Sequence, residues 1–336
     1  AENENKMQAL TGETLYCFGL ATAFGLGLCA LRQLLDWTSF LPLGRAGMKL
    51  PTSTKIQEVS EAFETASDED AVEMKAELAK LIEVRNVLRL KFCEACWRST
   101  MYALMIAIGY QSLRDKSWWF PNVKEAFADS REGPVEQDIT VYYALSLGFY
   151  FQLLVYMFVE TRRDDFWSMM THHVVTIYLI SVSWMWKMHR IGSLILLVHD
   201  IADPFLEVAK IFNYMKPARP WSDDVSTVFF VAFMASFAVL RLFVYPYYIV
   251  RTCQIDASEF VGCQVCLIVL QVLHIHWFYL ICKVAFTKVF ELIQRLPVDV
   301  NAWFLSARFS LEISAMSGNA TACGTAKSGR RFTPMR

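Results

Sequence analysis

Apolar runs alternate with charged gaps along the chain. Seven of the runs are long enough to predict a helix across a bilayer, which takes roughly 20 apolar residues. They cover residues 14–31, 92–113, 139–159, 166–186, 191–212, 225–250 and 260–284. The first continues past Arg32 through Leu34 and Leu35. The third carries no charge, and the only ionisable side chains of the fourth are His172 and His173. The first, third, fourth and sixth read as clear spans. Glu94 and Arg98 weaken the second, and His199, Asp200, Asp203, Glu207 and Lys210 weaken the fifth, because charge inside a membrane is costly. Arg241 and Pro246 sit in the sixth run, His274 and His276 in the seventh. Glu94 and Arg98, spaced i, i+4, are expected to neutralise each other. Arg241 and Glu160 are expected to pair or to snorkel to an interface.

Composition agrees with this pattern. The chain has 336 residues, 55% hydrophobic and only 19% charged. A soluble domain is about 45–50% apolar and about 25% charged, so an ordinary soluble protein is excluded. Net charge is −1, so no global basic field points to nucleic acid. The fold class expected is an all-α polytopic membrane protein.

The first apolar run, at 18 residues, exceeds the 7–15 of a signal peptide core, and Glu2, Glu4 and Glu13 spoil a basic leader. A retained helix is expected. With the gaps taken alternately, one side of the membrane holds 22 Lys and Arg and the other 8. Basic residues stay cytosolic, which puts the N-terminus in the lumen and the C-terminus in the cytosol.

Residues 49–91 read as a cytosolic connector. Acids from Glu58 to Glu77 precede a basic run from Lys80 to Lys91, and Leu78, Leu81, Ile82, Val84 and Leu88 recur at roughly helical spacing. That predicts an amphipathic or solvated helix leading into the second span. The tail from Ile313 reads as disordered, and its Asn319-Ala320-Thr321 sequon would lie in the cytosol, out of reach of glycosylation. Cys93-x-x-Cys96 and Cys263-x-x-Cys266 resemble halves of a zinc site. They fall in apolar helical stretches, so buried thiols are expected and no metal site.

Ionisable residues within a span are functional candidates by default. His172 lies seven residues inside Asp165, Asp203 seven inside Lys210, and His276 seven inside Lys283. At ~1.5 Å per residue all three sit about 10 Å deep on the cytosolic half. Asp200, Asp203, Glu207 and Lys210 follow one stripe of a helix, with His199 i, i+4 from Asp203. Pro204 cannot donate to the carbonyl of Asp200, so the helix should kink or open there. A His beside carboxylates can act as a general base or as an acyl-accepting nucleophile. No G-x-S-x-G elbow is present. A di-iron oxidase would need about eight His in H-x-x-x-H and H-x-x-H-H motifs, and this chain has six His and neither motif.

These residues carry a family resemblance. The run Arg163-Asp164-Asp165-Phe166 to His172-His173-Val174-Val175-Thr176, then His189-Arg190-Ile191-Gly192, then His199-Asp200-Ile201-Ala202-Asp203-Pro204-Phe205-Leu206-Glu207, closely resembles the Lag1 motif of ceramide synthases. These are membrane N-acyltransferases with a TLC (TRAM–Lag1–CLN8) domain. Lys91 to Arg98 resembles the opening of that domain, Trp118-Trp119-Phe120 its next lumenal loop, and Leu270 to Trp277 its last helix.

The resemblance implies a bundle of six helices around a central cavity, with one further transmembrane helix before it. It divides the chain into residues 1–40, a connector at 41–91, a catalytic domain at 92–293 and a tail at 294–336. It implies an endoplasmic-reticulum enzyme that joins a fatty acyl-CoA to a sphingoid base. No tightly bound cofactor is implied; acyl-CoA is a co-substrate. Its functional positions fall on His172, His173, Asp200 and Asp203, with His172 favoured as the reactive group and the two Asp as its orienters. His199, Glu207, Lys210, His276 and Trp277 are expected to contact substrate. The bilayer is the other partner, a homo- or hetero-dimer fits the reading, and nucleic acid does not. In the family the loop here at about 251–259 influences acyl length. Many animal relatives carry a homeobox-like segment before the domain, and residues 49–91 show none. Two rival readings are a TLC-type lipid sensor, carrier or translocon accessory without catalysis, and a seven-helix receptor.

Overall fold

A computed structural model describes residues 2–48, 51–64, 68–127, 135–160, 162, 164–256 and 261–295. Arg163, the sequon, the tail from Ile313 and the later positions of the 251–259 loop lie outside the described residues. The described residues are helical, with no strand among them. They fall into two units, residues 1–278 and 279–336.

The first unit opens with α1 (Glu2–Leu35), which passes through a π-helical turn, Asp36–Phe40, into α2 (Leu41–Gly47). The charged connector forms α3 (Pro51–Glu64) and the first half of α4 (Asp68–Leu113), a single 46-residue helix whose second half is the expected second segment. The amphipathic connector therefore leads without a break into the apolar run, as its spacing predicts. Then come α5 (Gln137–Tyr156), α6 (Phe166–Met185), α7 (His189–Asp200) and α8 (Asp203–Met215). Last are α9 (Trp221–Phe237), its π-helical continuation Ala238–Val250 around Pro246, the short α10 (Arg251–Asp256) and α11 (Val261–Arg295). In the second unit the helical residues are 279–295, where the Thr287 hydroxyl donates to the Lys283 carbonyl at 3.1 Å.

Among the described residues, four helical stretches are long and apolar enough to cross a membrane: Thr11–Gly47, Gln137–Tyr156, Trp221–Cys253 and Val261–Phe290. They match the first, third, sixth and seventh expected segments, and the chain is a multi-pass membrane protein. The fourth expected span forms the 20-residue α6 but falls outside this apolar class. Thr171, His172, His173 and Thr176 dilute it, and three of those four are buried rather than set against lipid. The fifth expected span is not one helix. α7 stops at Asp200 and α8 starts at Asp203, where Pro204 takes the first turn. Proline lacks the N–H that would close the next intrahelical bond, so the chain opens where the sequence says it must.

Tight joints hold the first unit together. α1 packs along α5, where a Cβ on Gly148 would meet the Ala21 carbonyl oxygen at 2.6 Å, so only glycine permits the approach. Near the ends of these helices Glu160 takes two arginines. Arg32 Nη1 lies 2.8 Å from Oε1, an ion pair too bent for a good hydrogen bond, and Arg98 contacts Oε2. Arg98 feels the charge of the local Glu94 expected from sequence and makes its hydrogen bond to Glu160, 62 residues along the chain. α6 ends in a six-to-one turn: the Met188 N–H donates to the Ser183 carbonyl at 2.7 Å, with Lys187 at φ 54°. That left-handed residue is the usual closing position of such a turn, and here it folds α7 back beside α6.

Candidate active site

α5, α6, α7, the α9 continuation and α11 converge on one buried polar cluster. His172 and His173 are buried on α6, their ring centroids 5.5 Å apart. Being adjacent, they point about 100° apart around the helix. His172 faces an apolar cavity and packs edge-on against Trp277 at 5.3 Å. Its Nδ1 is buried and has no hydrogen-bond partner among the described residues. Tyr150 of α5 packs against both imidazoles, at 6.4 Å from His172 and 6.0 Å from His173.

His199, near the end of α7, also lines the cavity. Its Nδ1 lies 2.7 Å from the carbonyl of Ile195. A carbonyl only accepts, so Nδ1 carries the proton and Nε2 presents a lone pair. That Nε2 is buried and has no hydrogen-bond partner among the described residues. The His199 ring meets Tyr245 at 4.9 Å and His274 at 4.9 Å.

Two carboxylates follow. Asp200 is 1% exposed and lies beside the Tyr150 hydroxyl, with no well-formed hydrogen bond to either oxygen among the described residues. Asp203 is held by Arg241, whose Nη2 donates to Oδ1 at 2.8 Å and to the His199 carbonyl at 2.6 Å. Breaking the helix after Asp200 leaves the last carbonyls of α7 without intrahelical donors, and a guanidinium is a good cap for that negative end. Arg241 thus closes α7, opens α8 and neutralises Asp203 in one contact set, with Phe237 under its guanidinium at 4.8 Å.

The remaining expected residues divide. Glu207 and Lys210 pair with each other at 2.7 Å on α8. Trp277 joins the cluster through His172. His276 does not, because it is exposed on α11. The equal-depth expectation placed it at the right level but on the wrong face. His274, two residues earlier and about 200° around the helix, is the buried one. Tyr150, Tyr245 and His274 are members of the cluster that the sequence reading left out. Only His274 carried a signal, since it shares a helix face with Leu267, Leu270 and Trp277. For Arg241 the expected pairing was legible, but not that its partner is Asp203.

The cavity below this cluster is apolar. On α6 it runs from His172 through Thr176, Leu179 and Ile180 to Ser183, about 16 Å along the axis. Near its far end Tyr143 and Ser183 share a hydrogen bond at 3.0 Å, seated over Gly192. Phe127 and Met188 line it beyond. Cys253 and Cys263 are buried in its wall as small apolar side chains. Among the described residues no three His, Cys, Asp or Glu come together as a metal site.

A family model for the TLC domain matches residues 91–283, more than half of the chain. The chain belongs to the TLC domain family. Among similar proteins, ceramide synthase 5 of Homo sapiens is 37% identical over 202 residues, covering 58% of this chain and 50% of that protein. Ceramide synthase hyl-1 of Caenorhabditis elegans is 32% identical over 214 residues, covering 58% and 57%. Ceramide synthase LOH2 of Arabidopsis thaliana is 32% identical over 206 residues, covering 57% and 68%. The chain spans about half the length of the first of these relatives. The TLC match begins at Lys91, so the polar cluster and its cavity lie inside the shared domain, and α1 to α3 lie before it.

Proposed function

We propose that this TLC protein is an acyl-CoA-dependent N-acyltransferase that joins a fatty acyl group to the amine of a sphingoid base, giving ceramide or dihydroceramide. The observation that carries the reading is the placement of His172. It sits at the polar end of a long apolar cavity, packed against Tyr150 and Trp277 with Nδ1 unengaged, and Tyr150 in turn approaches the buried Asp200. The named relatives are ceramide synthases, which agrees.

The amine of a sphingoid base is mostly protonated at neutral pH and cannot attack a thioester until a base removes a proton. His172 serves as that base, or takes the acyl group first as an acyl-imidazole and then passes it to the amine. In either route the thioester C–S bond breaks, the amide C–N bond forms, and CoA leaves as the thiol. His173 and Tyr150 fix the His172 ring from behind. Asp200, rather than the Arg241-bound Asp203, is the carboxylate free to stabilise an imidazolium. Asp203 positions the break between α7 and α8. The lone pair on His199 Nε2 accepts a hydrogen bond from a substrate amine or hydroxyl. The apolar cavity takes the hydrocarbon of the acyl chain. Glu207 and Lys210 lie toward the thioester's approach.

We place the enzyme in the endoplasmic reticulum as a six-helix TLC bundle, residues 92–293, preceded by a first helix. The N-terminus faces the lumen, the C-terminus the cytosol. The excess of Lys and Arg on one side supports that orientation. The direct test is an assay of the purified chain with a sphingoid base and a series of acyl-CoAs, with product measured by mass spectrometry. N-acyl product from the wild type and its loss in Asp200→Asn are expected. Absence of product from well-folded wild type with every acyl-CoA overturns the reading.

A further inference from the structure

Three arginines lie within electrostatic reach of one another where the charged connector enters the membrane domain, away from the polar cluster. Arg85 and Arg89 are one turn apart on α4, and Arg45 is on α2. α2 is fixed to α4 beside Arg45. A Cβ on Gly44 would meet the Phe92 ring at 3.2 Å, and Met48, Phe92 and Cys96 share a small apolar core with Leu88 and Met215. This packing brings Arg45 toward the α4 face that holds Arg85 and Arg89. Burial, then the charges of Arg85 and Arg45, hold the Arg89 guanidinium below the usual arginine value.

Like charges one turn apart on a helix are unfavourable, and a neighbouring acid normally relieves them. Here no acid stands at the neighbouring helix positions. The residues three and four away from Arg85 are Leu81, Ile82, Leu88 and Arg89; those from Arg89 are Arg85, Asn86, Phe92 and Cys93. The Nε atoms of Arg85 and Arg89 are buried and have no hydrogen-bond partner among the described residues.

Depth narrows the choice of anion. The second apolar run starts at Phe92, so Arg89 and Arg85 stand about 4.5 and 10 Å outside it along the helix axis. Arg89 thus stands in the headgroup layer of a bilayer and Arg85 just outside it. Trp37 and Leu43, on the stretch that carries Arg45, are 75% and 57% exposed, as suits residues lying at such an interface. A guanidinium fork matches the oxygens of a phosphate, the anion that lipid headgroups carry at that depth.

We propose that Arg45, Arg85 and Arg89 form a binding site for a phosphate group carried by an amphiphile at the membrane surface. The phosphate belongs either to an anionic phospholipid headgroup or to the nucleotide end of acyl-CoA. Only the second source rests on the N-acyltransferase reading, and binding is measured without turnover, so failure of one leaves the other standing.

The test uses the full chain in neutral detergent and titrates short-chain phosphatidic acid, CoA and 3′-dephospho-CoA by calorimetry. Binding of phosphatidic acid or CoA is expected, weakened about fivefold for each arginine changed, as in Arg85→Gln and Arg89→Gln singly and together. It should also weaken with salt. Binding of phosphatidic acid alone assigns the headgroup. Binding of CoA that is lost with 3′-dephospho-CoA assigns the nucleotide phosphate. A second measurement needs no variant. Phenylglyoxal modification of the wild type, mapped by peptide mass spectrometry, should be blocked at Arg85 and Arg89 by the bound probe and unchanged at the exposed Arg114. The proposal is overturned if neither probe binds, if the double variant binds as the wild type does, or if the probes leave Arg85 and Arg89 open to modification.

Discussion

Glu160 and Asp203 are both carboxylates drawn out of solvent, and both meet arginine, but their surroundings differ. At Glu160 each oxygen faces a guanidinium, Arg32 on one side and Arg98 on the other, with the Tyr156 ring 3.8 Å beneath Arg32. This cluster ties α1 and α4 to the end of α5. At Asp203 a single guanidinium serves a whole neighbourhood. His172 Nδ1 and His199 Nε2 border a cavity with no hydrogen-bond partner among the described residues, and Asp200 is buried beside the Tyr150 hydroxyl. Buried polar groups without partners are costly, and proteins keep them where function needs them. The comparison separates a cluster that holds helices together from one that is held open.

The largest expected effect is on the structural cluster. Glu160→Gln takes the carboxylate from the buried Arg98 and leaves Arg32 with Asp36 at 3.6 Å, and breaking a buried pair costs about 3–5 kcal/mol. Thermal unfolding should fall accordingly, while activity per folded molecule persists. In the open cluster, Asp203→Asn removes a charged hydrogen bond from Arg241, about 1.5–3 kcal/mol. Here stability and activity should fall together, because the break after Asp200 loses its anchor; a loss of stability alone would merge the two clusters into one class.

A third substitution acts on the far end of the cavity. A Cβ on Gly192 would lie 1.7 Å from the Tyr143 hydroxyl. Gly192→Ala should cost about 1–3 kcal/mol by overpacking, measured by unfolding. Adding Tyr143→Phe removes the clashing oxygen and should recover part of that loss. The smallest effect belongs to His276→Ala, on an exposed face, within about 0.5 kcal/mol of the wild type.

How far the sequence could be read follows the same division. Helices and their order were legible because apolar runs and charged gaps are local facts. The opening between α7 and α8 was legible because proline acts on its own backbone. Long-range partners were not. The i, i+4 rule paired Arg98 with Glu94, but it could not show that Glu160, just beyond α5, takes the hydrogen bond. Depth along the axis marked His276, yet depth says nothing about face, and two residues turn a helix by about 200°. Tyr150 gave no signal, since a tyrosine in an apolar run looks like core until its neighbours are known. Asp203 was assigned with Asp200 as an orienter of the histidine; its contact with Arg241 gives it a positioning role instead.

The central claim is that the open cluster, and His172 within it, performs acyl transfer. N-acyl product formation by purified His172→Ala and His276→Ala, compared side by side at equal folded protein, tests it most directly. Removing a general base or nucleophile costs about 10²–10⁴-fold, so His172→Ala should lose at least about a hundredfold, with unfolding temperature little changed. His276→Ala, on the exposed face of α11 and next in sequence to Trp277, should keep wild-type turnover. Equal rates from the two variants would contradict the account.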